Sequence, residues 1–234
     1  MNWKCCLYFS VLVLLLASCS NVTNTIRNCP DAAISWMDLL MINDLQYTGE
    51  VEGTNEGAEL EKGEVIGEVE YKMADNACSN HKMRNGDAAF LPAGTEIYSI
   101  KGYDADFRVL ADDKVYQISE NPKAQTLADL YDIEGKVDKI SIESIEDGSH
   151  ISDFTPMNTN AFIEEYLSLE YTGIEGIEKK RKNSSRTFIR IHLNDGTSFR
   201  TTYYISENVL NPGAYGTEKM KNIMLEETKR ARSD

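Results

Sequence analysis

The sequence predicts a β-rich α+β protein, with a small antiparallel barrel or sandwich followed by a hairpin-plus-helix unit. Short segments in which every second residue is apolar recur through the first part of the chain, separated by Gly, Asn and Asp. The strongest hairpin pattern covers 187–205, and an amphipathic helix pattern follows it. We therefore assign 34–150 to a β-rich domain and 151–234 to an α+β unit. The two segments could also share one sheet or form one domain.

Six or seven strands are expected in the β-rich domain. The first two form a hairpin over 39–50, with Asn43 and Asp44 at its turn. Asp112 and Asp113 join a second pair of strands. The other strand segments are 64–73, 95–103, 106–111, 114–119 and 135–144. In the first of these, one face is expected to carry Val65, Gly67, Val69 and Tyr71.

The α+β unit is expected to contain two helices around its hairpin. A short helix is predicted over 158–169, with an apolar stripe of Phe162, Ile163, Tyr166 and Leu167. The hairpin turns at an Asp-Gly pair, because glycine accepts a positive φ. After a predicted loop at 211–216, Thr217 caps a last helix that runs to about Arg230.

The N-terminus has the pattern of an export signal. Lys4 precedes an apolar run at 5–17, which at about 1.5 Å per helical residue is too short for a hydrocarbon core of about 30 Å. The run ends in Leu-Ala-Ser-Cys, which resembles the lipobox of bacterial lipoproteins, where the Cys receives a diacylglyceryl group. We therefore expect a signal peptide at 1–18, lipid attachment at Cys19 and a polar tether over 19–33. The competing interpretation is a buried apolar segment with an incidental cysteine.

The charge of the mature chain bears on its partners. Residues 1–18 carry one lysine and no acidic residue, which leaves 23 basic and 38 acidic residues and a formal charge of −15. Such a charge excludes nucleic-acid binding through a general electrostatic field. Two acyl chains, at about 0.8 kcal/mol per buried CH₂, would hold the protein stably on the extracytoplasmic face of the cell membrane.

Five cysteines leave one pairing to consider. Cys5 and Cys6 leave with the signal peptide, and Cys19 is the expected acylation site. Cys29 and Cys78 then face a compartment that permits a disulfide, although Cys29 lies in the expected tether.

The histidines give no strong site. His81 lies close in sequence to Cys78 and Met83, a ligand set that suits copper(I). The simpler interpretation is a polar loop, because a closed site needs more convergent ligands. His150 falls in a turn, and His192 lies on the polar face of a strand, which favours a cross-strand role over catalysis.

The 179–186 segment concentrates cations in an otherwise acidic protein. It could contact anionic lipid headgroups or wall polymers, at about 1 kcal/mol per cation, or it could be a solvated loop. The residues concerned are Lys179, Lys180, Arg181, Lys182 and Arg186.

Sequence motifs of catalysis are missing. The chain contains no G-x-S-x-G, H-E-x-x-H or P-loop pattern. Acidic pairs such as Asp104 and Asp106 could bind calcium, but aspartate is also the ordinary residue of turns and the EF-hand spacing is absent. We therefore predict no catalytic residue, no metal ligand set and no cofactor.

Three segments carry a family resemblance: GDAAFLPAGTEIYSIKGYDADFRVLA at 86–111, YLSLEY at 166–171, and DGTSFRTTYYISENVLNPGAYGTEKM at 195–220. They resemble uncharacterised cell-surface lipoproteins of endospore-forming Gram-positive bacteria, over about 35–225. The resemblance implies a Gram-positive membrane lipoprotein but no activity. L-x-x-G-T-x-I at 91–97 also looks like the opening of bacterial SH3-type wall-binding modules.

These observations predict a non-enzymatic, membrane-anchored lipoprotein that acts as a binding or interaction module at the cell surface. Its partner would be a cell-wall polymer or a surface protein. Tyr and Phe side chains of the 187–205 hairpin, with Tyr215, could form a contact surface or simply pack in the core. The alternative function is an extracytoplasmic hydrolase or metal-dependent enzyme without a recognisable motif.

Overall fold

The computed structural model describes residues 37–49, 51–54, 60–181 and 185–232. Within these ranges the fold is α+β and β-rich, as predicted, with fourteen strands in two sheets and four helices. The expected signal peptide and tether lie outside the described residues, and so do Cys19, Cys29 and Lys182. By their contacts, Ser35–Ala77 and His81–Asp234 form one unit, to which the two sheets and all four helices belong.

The first sheet has eight strands in the order β3-β6-β7-β8-β2-β1-β5-β4. They are β1 (Leu39–Ile42), β2 (Leu45–Thr48), β3 (Lys62–Glu68), β4 (Tyr71–Lys72), β5 (Asp87–Ala88), β6 (Glu96–Ile100), β7 (Arg108–Ala111) and β8 (Lys114–Glu120). All neighbours pair antiparallel except β4 and β5. Because β3 and β4 follow each other in the chain but lie at opposite edges, the sheet curls into a half-barrel.

Two tight turns in this sheet confirm the predicted hairpins. Asn43 and Asp44 connect β1 to β2 with φ of 53° and 65°. Asp112 and Asp113 connect β7 to β8 with φ of 52° and 58°. Two successive positive φ values define the turn whose twist matches antiparallel strands, and Asn and Asp tolerate this conformation best among residues with side chains.

The apolar face predicted for the single strand 64–73 is wrong at Val65, and the segment forms two strands, β3 and β4. Val69 is fully buried, but Val65 is about half exposed. The pairing of β3 with β6 shifts register on both sides of Val65, so the simple alternation along this edge strand is interrupted. A Cβ at Gly67 would lie too close to Ile42 Cδ1, so a larger residue there would require the Ile42 side chain to move.

The second sheet has six strands in the order β10-β9-β11-β12-β13-β14. They are β9 (Val137–Glu143), β10 (His150–Asp153), β11 (Thr187–Leu193), β12 (Ser198–Tyr204), β13 (Val209–Leu210) and β14 (Ala214–Tyr215). β9 comes from the 34–150 segment and pairs with β11, so the two segments share a sheet, an arrangement that the sequence left open. The predicted loop at 211–216 contains β14, which is too short to leave a signal in the sequence.

Four helices complete the described fold: α1 (Met73–Asn76), α2 (Pro156–Ser168), α3 (Gly173–Arg181) and α4 (Glu218–Arg230). The expected cap is confirmed, since the Thr217 hydroxyl accepts from Met220 N. The Thr155 hydroxyl caps α2 in the same way by accepting from Asn158 N, so this helix begins two residues before the predicted start at 158. α3 is a correction, because its C-terminal part was expected as loop. Two glycines and a single buried side chain, Ile177, leave it almost no amphipathic pattern.

Aromatic side chains from both sheets and α2 meet in one core. The Tyr131 ring stacks on Phe199 at 5.3 Å and on Tyr166 at 5.8 Å between centroids. Phe107, which directly precedes β7 of the first sheet, contacts Tyr131 edge-on, with 5.7 Å between the ring centroids. Because Phe199 and Tyr203 are buried here, core packing is the interpretation that holds for these two residues.

A fully buried carboxylate joins the two longest helices. Glu227 of α4 is 0% exposed and lies at the start of α2. Its Oε1 accepts from Thr155 N at 3.0 Å and from Asn158 Nδ2 at 2.7 Å, and Arg230 pairs with its Oε2. Burial alone would raise the pKa of Glu227, but these hydrogen bonds and the Arg230 charge outweigh burial and hold the pKa below its ordinary value of 4.5.

We expect Glu227→Gln to lower the free energy of unfolding at pH 7 by about 1–2 kcal/mol, since a charge-assisted hydrogen-bond set is weakened. A group whose folded pKa is depressed contributes stability above its unfolded pKa and loses it as pH falls through the folded pKa. The difference between the two proteins, measured by urea unfolding, should therefore shrink below about pH 4. Exposed Glu164→Gln is the control. A difference that stays constant to pH 2 contradicts this account.

Candidate functional site

The predicted cationic segment forms the end of a helix. Lys179, Lys180 and Arg181 make up the last turn of α3, where positive side chains offset the negative end of the helix dipole. Ile177 buries the helix against the protein and so fixes the direction of this turn. Arg186 lies apart from the helix end in the chain, just before β11, with its guanidinium 5.2 Å from the Phe188 ring centroid.

Exposed apolar side chains accompany these cations. Tyr215 is 44% exposed and its hydroxyl donates to Gly176 O at 3.0 Å, which fixes the ring beside α3. Lys180 Nζ lies 5.7 Å from the centre of that ring. Ile174 is 39% exposed on the same helix. We call the five residues Ile174, Lys179, Lys180, Arg181 and Tyr215 the basic surface.

Cys78 and His81, which the copper(I) hypothesis combined, have different partners in the structure. Cys78 is disulfide-bonded, which removes the thiolate that the copper(I) hypothesis required. Its pairing with Cys29 stays a prediction, because Cys29 lies outside the described residues. His81 instead contacts Asp87 Oδ2 at 2.7 Å and stacks on Tyr71.

A serine and a histidine lie at the distance of a catalytic pair. Ser141 Oγ and His192 Nε2 are 2.7 Å apart across β9 and β11, the cross-strand position expected for His192. Burial, followed by the charge of Lys139, lowers the pKa of His192. Ser141, however, is only 1% exposed, so a substrate cannot approach its hydroxyl in this structure.

The acidic turn residues form a shallow concavity of about 310 Å³. Burial and the charge of Asp104 raise the pKa of Asp106. Asp104 Oδ1 accepts from Asp106 N at 3.0 Å, which is ordinary turn chemistry. In the part of the chain that the structure describes, no group of three or more His, Cys, Asp or Glu side chains is placed to hold a metal.

A cleft between the two sheets has a volume of about 850 Å³. The ends of β2 and β8 form one wall. Asn121, Pro122, Ala124 and residues 171–175 form the sides, and β12 with 211–212 forms the other wall. We call it the inter-sheet cleft. No sequence signal indicates it, because its lining residues come from distant parts of the chain and become neighbours only through the fold.

The lining of the inter-sheet cleft is polar but weakly charged. Glu120 and Glu175 supply carboxylates, and Tyr131 and Tyr171 supply rings. Burial and the nearby Glu120 carboxylate raise the pKa of Tyr171, so its phenol stays protonated and able to donate. The remaining side chains are mainly amides, hydroxyls and small apolar groups.

Arg200 is the one cation among the described residues that line the cleft, and its guanidinium is already bound. Arg200 Nε donates to Glu143 Oε2 at 2.5 Å, and Nη1 lies 3.2 Å from Glu52 Oε2. Buried Arg190 pairs with the same two glutamates. The network is internally neutral, so it does not give the cleft an anion-binding charge.

The amide of Asn211 is incompletely satisfied at the cleft wall. Asn211 N donates to Thr202 O at 3.0 Å, and its carbonyl accepts from the Thr201 hydroxyl at 2.9 Å. Its side-chain Oδ1 is buried and has no hydrogen-bond partner among the described residues. A buried acceptor without a partner is costly in free energy, so this side chain is a local weak point of the cleft wall.

The chain matches no protein-family model, and no curated protein or solved structure is significantly similar to it. Within the described ranges, no helix has both the length and the apolar character needed to cross a bilayer.

Proposed function

We propose that the protein is a lipid-anchored, extracytoplasmic binding module that contacts a phosphate-bearing anionic surface through its basic surface. Cys19, at the end of the lipobox-like run, is the anchor in this proposal, and 19–33 is the tether. The Gram-positive cell surface offers such phosphates both in lipid headgroups and in wall polymers. The proposed role is non-enzymatic.

The observation that carries the proposal is the position of Lys179, Lys180 and Arg181 at the end of α3, beside exposed Tyr215 and Ile174. A chain with a mature charge of −15 is repelled by an anionic surface unless cations are gathered at the point of contact. Three cations at about 1 kcal/mol each contribute roughly 3 kcal/mol near such a surface. The exposed ring and aliphatic side chain suit the boundary between water and headgroups.

The alternative, an extracytoplasmic hydrolase, has one observation in its favour, the Ser141–His192 hydrogen bond. Ser141 is buried, and no carboxylate among the described residues hydrogen-bonds the His192 ring. The alternative of a metal-dependent enzyme has no described ligand group behind it. We therefore retain the binding module.

Charge reversal tests the proposal. The full acylated chain is placed in nanodiscs, and hydrogen exchange of the α3 amides is followed. We expect protection in anionic-lipid nanodiscs, or in zwitterionic nanodiscs with added polyglycerol phosphate, and the two arms separate the lipid from the polymer source. The protection should disappear at about 0.5 M salt and in the variant K179E/K180E/R181E.

A matched control is K82E/R84E/K123E, which changes the net charge equally at exposed cations away from the basic surface. This control should keep the protection. Unchanged exchange of α3 in both arms, or equal loss in the two variants, would refute a contact through the basic surface.

A further inference from the structure

We infer that the inter-sheet cleft binds an uncharged, hydroxyl-rich ligand, namely a saccharide. The inference concerns a cleft that adjoins the basic surface at Ile174 but contains none of its three cations, and it does not rest on the lipid anchor. The volume of the inter-sheet cleft, about 850 Å³, falls within the range of roughly 300–1,000 Å³ that is usual for ligand sites.

Electrostatics disfavours an anionic ligand in this cleft. Its two carboxylates, Glu120 and Glu175, repel negative charge, and the guanidinium of Arg200 is held by Glu143 and Glu52. Removing an anion from water without a partner cation is costly. Carboxylate and amide oxygens are, however, good acceptors for the many hydroxyl donors of a sugar.

The apolar parts of the lining suit the faces of a sugar ring. A pyranose presents C–H groups on its faces and hydroxyls around its rim, so it needs flat apolar surfaces bordered by polar groups. Tyr171, Pro122 and Pro212 offer such surfaces, and Asn121 and Gln46 border them.

The aromatic side of the cleft is already rigid. Tyr131 is fixed by stacking on Phe199 and Tyr166. Tyr171 is held through its backbone, since its N–H donates to Gln125 O at 2.7 Å and the residue pairs with Ala214 of β14. A platform that is ordered before binding loses little conformational entropy when the ligand arrives.

Calorimetric titration of the full acylated chain in zwitterionic nanodiscs tests the inference, with empty nanodiscs as the blank. The probes are neutral tetrasaccharides of N-acetylglucosamine, glucose and mannose, with polyglycerol phosphate and spermidine as charged comparators. We expect saturable binding of at least one tetrasaccharide. Tyr171→Ala should weaken it about tenfold and Glu120→Gln several-fold, because a ring platform and a charged acceptor are lost.

Tyr98→Ala on β6 is the matched control, since it removes a tyrosine from the first sheet outside the cleft and should leave saccharide affinity unchanged. Thermal unfolding checks that each variant is folded. If Tyr171→Ala does not fold, Glu120→Gln is the variant that tests the inference. The inference is overturned if no tetrasaccharide saturates the protein, if spermidine displaces the sugar, or if the control variant loses as much affinity as the cleft variants. Loss of contact through the basic surface leaves this result unaffected, so the two proposals fail separately.

Discussion

Replacement of Arg108 by alanine is expected to lower the free energy of unfolding by about 3–5 kcal/mol. Arg108 lies on β7 of the first sheet and is 0% exposed. Its Nε and Nη2 donate to Gln117 Oε1 at 3.0 and 2.8 Å, and Nη1 donates to the Thr197 hydroxyl at 2.8 Å. Since Thr197 lies between β11 and β12, this side chain connects the two sheets directly.

The charge of Arg108 is supported from a distance. Thr197 and Tyr103 both donate to Asp195, at 2.7 and 2.5 Å, so the nearest counter-charge acts through two hydroxyls. The guanidinium carbon lies 4.6 Å from the centre of the Phe107 ring, in a cation–π contact. Burial lowers the pKa of Arg108 to about 10, which keeps it charged at neutral pH.

Alanine at position 108 leaves Gln117 Oε1 unpaired in the core and a cavity where the long side chain lay. Urea unfolding at pH 7 measures the loss. Arg108→Lys keeps the charge but not the planar fork, so an intermediate loss is expected. Exposed Arg84→Ala is the control and should change stability by less than about 0.5 kcal/mol. A loss below about 1 kcal/mol for Arg108→Ala would mean that the network does not join the sheets energetically.

The sequence predicts those elements whose signal is local. The Asn43-Asp44 and Asp112-Asp113 turns lie within the hairpins that they form, and the Thr217 cap lies next to its helix. Pairing of β9 with β11 depends on contacts such as Ile142 with Ile189, which are distant in sequence, so periodicity cannot place β9 in either sheet. The sequence does not predict α3 for a different reason: one buried isoleucine does not make a helical period.

The candidate sites, too, can be predicted from the sequence only where their residues are neighbours in the chain. Lys179, Lys180 and Arg181 are adjacent in the chain, so composition alone singles them out, although not their place on a helix. The inter-sheet cleft combines Glu120 with Tyr171 and Asn211, which no motif relates. Buried Arg108 is also invisible in the sequence, where an arginine in a strand is expected at the surface.

Removal of the proposed anchor residue, Cys19, should have the largest effect on where the protein is found. We expect the Cys19→Ala protein to move almost entirely from the membrane to the soluble fraction, because the expected site of acylation is removed. Two acyl chains anchor stably, since each buried CH₂ contributes about 0.8 kcal/mol, whereas a single myristoyl chain binds only marginally. An apolar run at 5–17 cannot replace them, because a spanning helix needs about 20 residues.

Fractionation of cells that produce each protein measures this shift, and mass spectrometry of the wild-type N-terminus should find residue 19 first and diacylated. Cys29→Ala is the matched control, a second cysteine-to-alanine change near the N-terminus that should leave the protein in the membrane fraction. The basic surface alone, at roughly 3 kcal/mol, would give only weak and salt-sensitive retention. Salt-resistant membrane association of Cys19→Ala would therefore rule out both acylation as the anchor and the tethered geometry proposed for the basic surface.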